Sequence, residues 1–197
     1  AGLTKIIPET NARIDHIMKH QVFGIAITHL TSLLSRRSVY CSKDALSIHS
    51  IGRSIGREQG NIWFERVEHT WEKGRCIFCG ASQTTLDRGG GMETYAYNFI
   101  HNQSLSVLLT SAFSTNMQFD VVIGNPPYQL DDGGYGASAA PIYHLFVEKA
   151  IQLDPRFAVF VTPSRWMTGG KGLDKFRDKM LNDRRLKKIV DFPKLYE

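Results

Sequence analysis

The chain has 197 residues, of which 42% are hydrophobic and 22% charged, and its formal net charge is +5 at pH 7. These proportions are those of a globular protein with one core and room for a small second module, and they exclude a disordered chain. No apolar run approaches the roughly 20 residues of a membrane span, and the N-terminus lacks a signal-peptide layout. We therefore predict a cytoplasmic protein without a membrane partner, whose positive charge permits attraction to nucleic acid.

The first forty residues predict a helix, a strand and a second helix. Residues 1–20 read as a loop followed by a helix, for which Thr10 or Asn11 is the predicted N-cap. Residues 21–28 predict a strand. Residues 29–40 predict the helix that follows, with an apolar face because leucines recur near helical spacing (Leu30, Leu33 and Leu34).

The irregular segment 41–92 contains a Cys-x-x-Cys pair followed by glycine. Such a turn points two thiolates at one ion, as in half of a zinc knuckle. A four-coordinate structural zinc site needs two further ligands, and we rank the candidate ligands, ahead of His49 and His101, as Cys41, Cys76, Cys79 and His69. The alternative is two reduced thiols in a turn, because a single Cys-x-x-Cys pair is weak evidence for a metal. A redox role is disfavoured, since no strand and helix flank the pair.

The segment before the centre of the chain predicts two more elements. Residues 93–101 alternate in polarity and are rich in aromatics, which indicates a strand or the start of a helix. Residues 104–116 predict a helix. The apolar run 119–124 then predicts a buried strand of a parallel sheet, ending at a glycine.

The most informative stretch follows that strand and consists of Asn125, Pro126, Pro127 and Tyr128. Each proline fixes φ near about −65° and removes a backbone donor, so the stretch is a stiff turn at the carboxyl end of a strand, where open α/β sheets bind ligands. The Asn125 side-chain oxygen and the Pro126 carbonyl can accept the two hydrogens of an amino group, with Tyr128 stacked on its ring. Accepting both hydrogens draws the nitrogen lone pair out of conjugation, which favours methylation of that nitrogen. The alternative is an ordinary Pro-Pro turn capped by a surface tyrosine.

The remaining residues predict an alternation of helices and strands. Residues 129–140 are rich in Gly, Ser, Asp and Ala, which indicates a mobile loop beside the turn. After it we predict a helix over 141–153, a strand over 157–161, a helix over 173–181 and a third strand over 186–192. This alternation predicts a doubly wound α/β fold. The basic residues between 171 and 188 are read as a solvated helix face rather than a phosphate-binding surface.

Residues 125–128 resemble motif IV (Asp/Asn/Ser-Pro-Pro-Tyr) of the S-adenosylmethionine-dependent amino methyltransferases, and we use that name for them below. The form Asn-Pro-Pro-Tyr is similar to that of the DNA N6-adenine methyltransferases of restriction–modification systems. The resemblance extends to Thr-Pro-Ser-Arg-Trp after the strand at 157–161 and to Ile-Val-Asp-Phe near the end of the chain. It implies a catalytic role for motif IV, S-adenosylmethionine as cofactor, and double-stranded DNA with a flipped adenine as partner.

The resemblance also indicates where a cofactor would bind. Residues 21–40 resemble the second strand and helix of this family, whose strand ends in an acidic residue that holds the cofactor ribose. That position is Ala26 here, which leaves the Thr28 hydroxyl as a weaker contact. Asn102 corresponds to a polar residue that touches the cofactor adenine, or else it is a helix N-cap or turn asparagine. No glycine-rich loop precedes a helix as it does at the start of an S-adenosylmethionine site.

Together these features predict a partial doubly wound, Rossmann-like methyltransferase sheet with a small inserted Cys-x-x-Cys module. The predicted domains are core elements at 1–40, the irregular insertion at 41–92, and the core with motif IV at 93–197. We expect an interior part of a DNA adenine methyltransferase, without the first motif or the target-recognition domain and with or without a fused nuclease. The alternatives are a non-catalytic nucleic-acid-binding fragment and an amino methyltransferase acting on RNA or on protein glutamine.

Overall fold

The computed structural model describes residues 2–86, 95–114, 117–130 and 140–192. It is a mixed α/β structure, and each of the sheets in these residues has two strands. The chain forms two compact units, one comprising Ala1–His69 and Tyr95–Met117, the other Thr70–Thr94 and Gln118–Glu197. No helix in the described ranges is long and apolar enough to cross a membrane. Most of the loop predicted at 129–140 lies outside these ranges.

The first unit contains five helices and four short strands among its described residues. The helices are α1 (Gly2–Ile6), α2 (Thr10–His20), α3 (His29–Tyr40), α5 (Asn98–His101) and α6 (Leu105–Phe113). The strands are β1 (Gly24–Ile25), β2 (Ile62–Trp63), β3 (Arg66–Val67) and β6 (Ala96–Tyr97). A 3₁₀ turn, Arg53–Ile55, lies between α3 and β2. The segment 93–101, which was predicted to be a strand or the start of a helix, contains both: β6 comes first and α5 follows it directly.

The N-cap of α2 lies one residue before the first of the two predicted cap residues. Its N-cap is Glu9, whose carboxylate accepts the backbone N–H groups of Asn11 and Ala12. The prediction of Thr10 or Asn11 as N-cap is wrong, because both residues already lie within the first helical turn. A carboxylate at the N-cap also complements the positive end of the helix dipole.

Strand β1 pairs in parallel with β2, and α3 connects them, so this part of the chain is a β-α-β arrangement. The strand predicted over 21–28 is confirmed only for the two residues of β1. The buried residues of α3 are Ser32, Arg36 and Tyr40, whereas Leu30 and Leu34 are exposed. The leucine spacing therefore predicted the helix but not the face that it buries.

Tyr40 is the centre of the core of this unit and is fully buried, with Ala45 and Ile62 beside it. Its hydroxyl oxygen accepts the buried backbone N–H of Asn61 at 2.7 Å. Two glycines make room for the ring: a Cβ at Gly52 would lie 2.8 Å from it, and a Cβ at Gly60 would lie 2.7 Å from it. Gly60 also has φ +56°, a conformation that favours glycine.

The second unit contains the remaining described elements. The helices are α4 (Gln83–Leu86), α7 (Tyr143–Gln152) and α8 (Asp174–Asn182), and the strands are β4 (Trp71–Glu72), β5 (Arg75–Cys76), β7 (Val121–Gly124) and β8 (Phe157–Phe160). A 3₁₀ turn, Ser164–Met167, follows β8. The helices predicted at 141–153 and 173–181 and the strands predicted at 119–124 and 157–161 are confirmed within a few residues. The apolar side of α7 faces the core, since Tyr143, Phe146, Val147 and Ala150 are buried.

Strands β7 and β8 are parallel, with Gly124 paired to Phe160, and α7 lies between them in sequence. The prediction that β7 is buried is wrong for one face: Val121 is 54% exposed and Ile123 77% exposed. Phe160 packs against the core formed by Tyr143, Val147, Trp166, Leu173 and Phe176. The described residues therefore cover one face of this strand pair and leave its other face apolar and open.

The third strand predicted over 186–192 does not form a sheet. These residues have no strand assignment, and Ile189, Val190 and Phe192 are 47%, 56% and 63% exposed. A strand needs a neighbouring strand to take its backbone hydrogen bonds. No described residue supplies one here, so an apolar run with strand-like composition remains irregular.

Candidate functional site

Motif IV begins directly after β7, at the end of the strand pair where β8 also ends. The Val161 N–H donates to the Gly124 carbonyl at 3.0 Å, which extends the pairing to the first residue beyond β8. Because the strands are parallel, the segment that follows β8 lies at the same edge as Asn125. The carboxyl edge of a parallel α/β sheet is where ligands bind.

The motif presents its polar and aromatic groups outward. The Asn125 side chain is exposed and has no hydrogen-bond partner in the part of the chain that the structure describes. Pro126 is buried and Pro127 half-buried, so the two rings fix the turn against the protein. Tyr128 is 40% exposed. The site thus combines an available amide, a rigid backbone and an open aromatic face.

The far end of the motif is attached to the start of α7. The Tyr128 carbonyl accepts the Ile142 N–H at 3.2 Å, and the Leu130 N–H donates to the Ala140 carbonyl at 3.0 Å. These antiparallel hydrogen bonds continue through a bridge between Gln129 and Pro141. The turn is therefore held at both ends by backbone hydrogen bonds. Such preorganisation suits a group that must hold an amine in one orientation.

Gly124 has a packing role that is independent of backbone conformation. A Cβ at this position would lie 2.9 Å from Cε1 of Phe160, whose ring packs against the core of this unit. A side chain on Gly124 would move this ring and with it the base of motif IV.

We therefore expect Gly124→Ala to lower the free energy of unfolding by about 1–3 kcal/mol, the range for overpacking a core. Urea unfolding followed by tryptophan fluorescence measures the change. The matched control is Gly24→Ala in β1, where the nearest atom is the flexible Cδ1 of Ile62 at 3.0 Å, and we expect a smaller loss there. An equal loss in the two variants would contradict the role given to the Phe160 ring.

The two residues predicted to bind cofactor have structural partners. The Thr28 hydroxyl accepts the Thr31 N–H at 3.0 Å, and the Thr31 side chain accepts the Thr28 N–H, so the pair forms a capping box at the start of α3. Asn102 follows α5, and its side-chain oxygen accepts the Ser104 N–H at 3.1 Å. With Ala26 in place of a carboxylate, the described residues do not supply a donor set that fits S-adenosylmethionine. The cofactor roles of Thr28 and Asn102 stay predictions.

The predicted metal ligands belong to different units of the chain. Cys76 and Cys79 belong to the second unit and are buried, whereas Cys41 and His69 belong to the first. Within the first unit, the His69 ring lies beside that of His101, a histidine ranked below the predicted ligands. Cys41 is exposed and ends α3 in the left-handed conformation, with φ 63°. The metal-binding roles of Cys41, Cys76, Cys79 and His69 stay predictions.

Cys76 and Cys79 lie in a tight turn. Strands β4 and β5 form a hairpin whose two turn residues, Lys73 and Gly74, both have positive φ, as a type I′ turn requires. Beyond β5, the Cys76 N–H donates to the Ala81 carbonyl and the Gly80 N–H to the Cys76 carbonyl, each at 2.9 Å. These bonds fold Cys76 and Cys79 onto one side of the turn. None of the three cysteines of the chain forms a disulfide.

Burial shifts the pKa values of Cys79, His69 and His101. Burial raises the pKa of the Cys79 thiol to about 12, and the neighbouring Cys76 sulfur adds to the rise. Burial also lowers the pKa of His101 to about 4 and lowers that of His69. The histidines are therefore neutral at pH 7, and the Cys79 thiol carries its proton unless a cation displaces it.

The His101 ring has a defined tautomer. Its Nδ1 lies 2.8 Å from the Tyr97 carbonyl oxygen, which can only accept, so Nδ1 carries the proton. The lone pair of the neutral ring is consequently on Nε2. The two imidazole rings of His69 and His101 meet edge to face, with centroids 5.1 Å apart.

Comparison with known proteins finds a matching family and a curated relative. The family described as "Eco57I restriction-modification methylase" matches residues 20–197. An "Uncharacterized adenine-specific methylase" of Mycoplasma pneumoniae is 37% identical over 213 aligned positions, which cover 97% of this chain and 50% of the relative. The chain therefore spans about half the length of that curated relative. No solved structure matches.

Proposed function

Because the chain belongs to the Eco57I restriction-modification methylase family, we propose that it supplies the base-binding side of a DNA N6-adenine methyltransferase. The observation that carries the proposal is the exposed Asn125 amide at the carboxyl end of β7, next to the half-open Tyr128 ring. The similarity to a relative named as an adenine-specific methylase supports adenine as the acceptor.

The proposed role of motif IV is to hold an adenine that has left the DNA stack. The Asn125 side-chain oxygen accepts one hydrogen of the exocyclic amine, and the Pro126 carbonyl accepts the other. The nitrogen then becomes pyramidal, and its lone pair is withdrawn from conjugation with the ring and becomes nucleophilic. Pro127 stiffens the turn, and the Tyr128 ring stacks on the flipped base, which replaces part of the stacking energy lost from the duplex.

The methyl donor of this class of reaction is S-adenosylmethionine. Since the described residues do not fit it, the proposal assigns no donor contact beyond the predicted roles of Thr28 and Asn102. It places β7, α7 and β8 in a Rossmann-like sheet, for which their parallel β-α-β order is the support. The proposal also includes the three predicted domains, which are core elements at 1–40, an irregular insertion at 41–92, and the core with motif IV at 93–197.

The proposal is tested by methyl transfer to defined acceptors. The protein as its gene encodes it is incubated with tritiated S-adenosylmethionine and unmethylated duplex DNA, and the digested DNA is analysed for N6-methyladenine by mass spectrometry. We expect N6-methyladenine in DNA. Label that enters RNA or protein glutamine instead, with none in adenine of DNA, would contradict the proposed acceptor.

Arg165 is the first basic residue after the carboxyl end of β8, the edge of the strand pair at which we place the flipped base. It is exposed on the 3₁₀ turn Ser164–Met167, four residues after the Val161 N–H that pairs with Gly124. We propose that its guanidinium contacts a DNA phosphate beside the flipped base.

Replacing Arg165 by alanine should weaken binding to any duplex sequence and lower the slope of log K against log salt concentration by about 0.9, the value for one phosphate contact. Fluorescence anisotropy of labelled DNA at several salt concentrations measures both effects. Arg53→Ala is the matched control, because Arg53 is also exposed on a 3₁₀ turn but lies in the other unit. An unchanged slope for Arg165→Ala would refute the phosphate contact.

A further inference from the structure

We propose that His16 and His20 together bind a divalent transition-metal ion of the nickel, copper and zinc class on the surface of α2. The observation that carries this proposal is the contact between the two imidazole rings, whose centroids lie 5.1 Å apart with an angle of 48° between the ring planes. Both residues belong to one helix of the first unit, so a single element supplies the site. The proposal is independent of methyl transfer and of the residues in motif IV.

The spacing of the two histidines explains why their rings meet. Residues four positions apart lie one turn apart on the same face of a helix, with Cβ atoms about 5–6 Å from each other. Two histidines at this spacing bind one ion from a single helix face in His-Glu-x-x-His zinc sites. His16 and His20 have the same spacing, so α2 places two imidazoles where one ion can reach both.

The separation of the rings is compatible with ligation of one ion. Zinc–nitrogen bonds of about 2.0 Å place two nitrogens of a tetrahedral site roughly 3.3 Å apart. The ring nitrogens lie at the edge of each imidazole, so two of them can approach more closely than the centroids, which are 5.1 Å apart. Rotation of the rings about their side-chain bonds is therefore sufficient, and the backbone of α2 keeps its conformation.

The imidazole nitrogens are accessible to an ion from solvent. His20 is exposed and His16 half-buried, and neither ring makes a hydrogen bond or an ion pair within the described ranges. The guanidinium of Arg13, one turn before His16, is engaged at the other end of the helix, where it donates to the carbonyls of Ile7 and Pro8. Each imidazole can therefore supply one lone pair to a metal ion.

The last turn of α2 is held in place and favours a cation. The buried Asn61 side chain donates to the carbonyls of Met18 and Lys19, each at 3.0 Å. The carbonyl end of a helix carries a partial negative charge, which stabilises a positive ion within the last turn. Because His20 is the last residue of α2, an ion bound to its ring lies at this end.

The ligand type selects the class of ion. Imidazole nitrogens suit nickel, copper and zinc, whereas magnesium and calcium prefer oxygen ligands. Two ligands from the protein leave further coordination positions to water, so the site is open to solvent. Ni²⁺ is the most suitable probe, since Cu²⁺ oxidises thiols and the three cysteines of the chain are free.

The first measurement is the binding of Ni²⁺ to the untagged protein as its gene encodes it, followed by isothermal titration calorimetry. His16→Gln and His20→Gln should each weaken this binding by about 10²-fold, because the remaining imidazole loses the gain from a second, linked ligand. Ni²⁺ should also slow hydrogen exchange of the backbone amides of α2 in the unmodified protein but not in these variants. Exchange in α2 that is unaffected by Ni²⁺ in the unmodified protein would overturn the proposal.

Two controls separate the paired geometry from the number of histidines. His49→Gln removes an exposed histidine of the same unit and should leave the effect of Ni²⁺ on α2 unchanged. The double variant His20→Gln with Gln21→His keeps the number of histidines but moves one ring past the end of α2, and it should lose the site.

The outcomes of these controls are decisive because the substitutions leave the fold in place. None of the residues of α2 is fully buried, and circular dichroism checks that each variant keeps its helix content. Slowed exchange that persists in the double variant, or equal losses of Ni²⁺ affinity in His16→Gln and His49→Gln, would contradict ligation by the pair.

Discussion

Replacing Asn125 by alanine is expected to lower the rate of adenine methylation by about 10²–10³-fold, the loss that follows when one preorganised group that stabilises a transition state is removed. The amide of Asn125 is exposed at the end of β7, so its removal leaves no cavity. The amine then keeps one acceptor, the Pro126 carbonyl, and its lone pair stays largely conjugated with the ring. The rate constant of a single turnover with excess enzyme measures the effect on chemistry.

The matched control is Gln129→Ala, which removes an exposed amide four positions further along the chain. It should leave the rate of methylation and the affinity for DNA within about twofold of the original, as expected for an exposed side chain outside the site. DNA affinity should also change little in Asn125→Ala, because phosphate contacts dominate it. Equal losses of rate in Asn125→Ala and Gln129→Ala would show that the Asn125 oxygen does not hold the amine.

Replacing Tyr40 by alanine is expected to cost about 3–5 kcal/mol of unfolding free energy, the range for removing a buried aromatic side chain. Gly52 and Gly60 both lie against the ring and carry no side chain, so neither can fill the space that it leaves. A domain has a total stability of only about 5–15 kcal/mol, so the first unit should be largely destabilised at 37 °C. Urea unfolding followed by circular dichroism measures the loss.

Tyr40→Phe separates the hydroxyl from the ring. This variant keeps the packing but leaves the buried Asn61 N–H without its acceptor, which we expect to cost about 1–3 kcal/mol. Hydrogen exchange at the Asn61 amide should be faster than in the original protein. An Asn61 amide that stays as protected in Tyr40→Phe would argue against this hydrogen bond as a source of stability.

Sequence patterns predicted the helices α7 and α8 of the second unit well, because the spacing of apolar residues along a helix involves only residues that are near in sequence. In α7 the apolar residues recur at helical spacing, and four of the six, Tyr143, Phe146, Val147 and Ala150, are buried. The same reasoning failed for α3, where the exposed leucines Leu30 and Leu34 lie away from the core. The buried face of α3 instead carries Arg36, whose guanidinium donates to the Ile62 carbonyl and to the Gln59 side chain. A buried arginine depends on acceptors more than twenty residues away, which no local pattern contains.

The strand predictions show the same division between local and distant causes. Residues 186–192 have the composition of a strand but lack a partner among the described residues, whereas β7 has β8 beside it. The exposure of Ile123 likewise depends on which face of the pair is covered. A strand is stabilised by its neighbours, so its existence and its burial are both properties of the tertiary structure.

The sequence by itself determined the turn and the hydrogen-bond acceptors of motif IV, because Asn-Pro-Pro-Tyr restricts its own backbone and carries its acceptors in four consecutive residues. It also determined the Cys-x-x-Cys turn, whose hydrogen bonds span only six residues. Only the tertiary structure decided that the ring of His69 lies beside that of His101, and that a ring from β8 requires glycine at position 124. The physical reason is the distance along the chain over which each cause acts. Backbone restriction acts between adjacent residues, whereas ring contacts and core packing join residues that only the folded chain brings together.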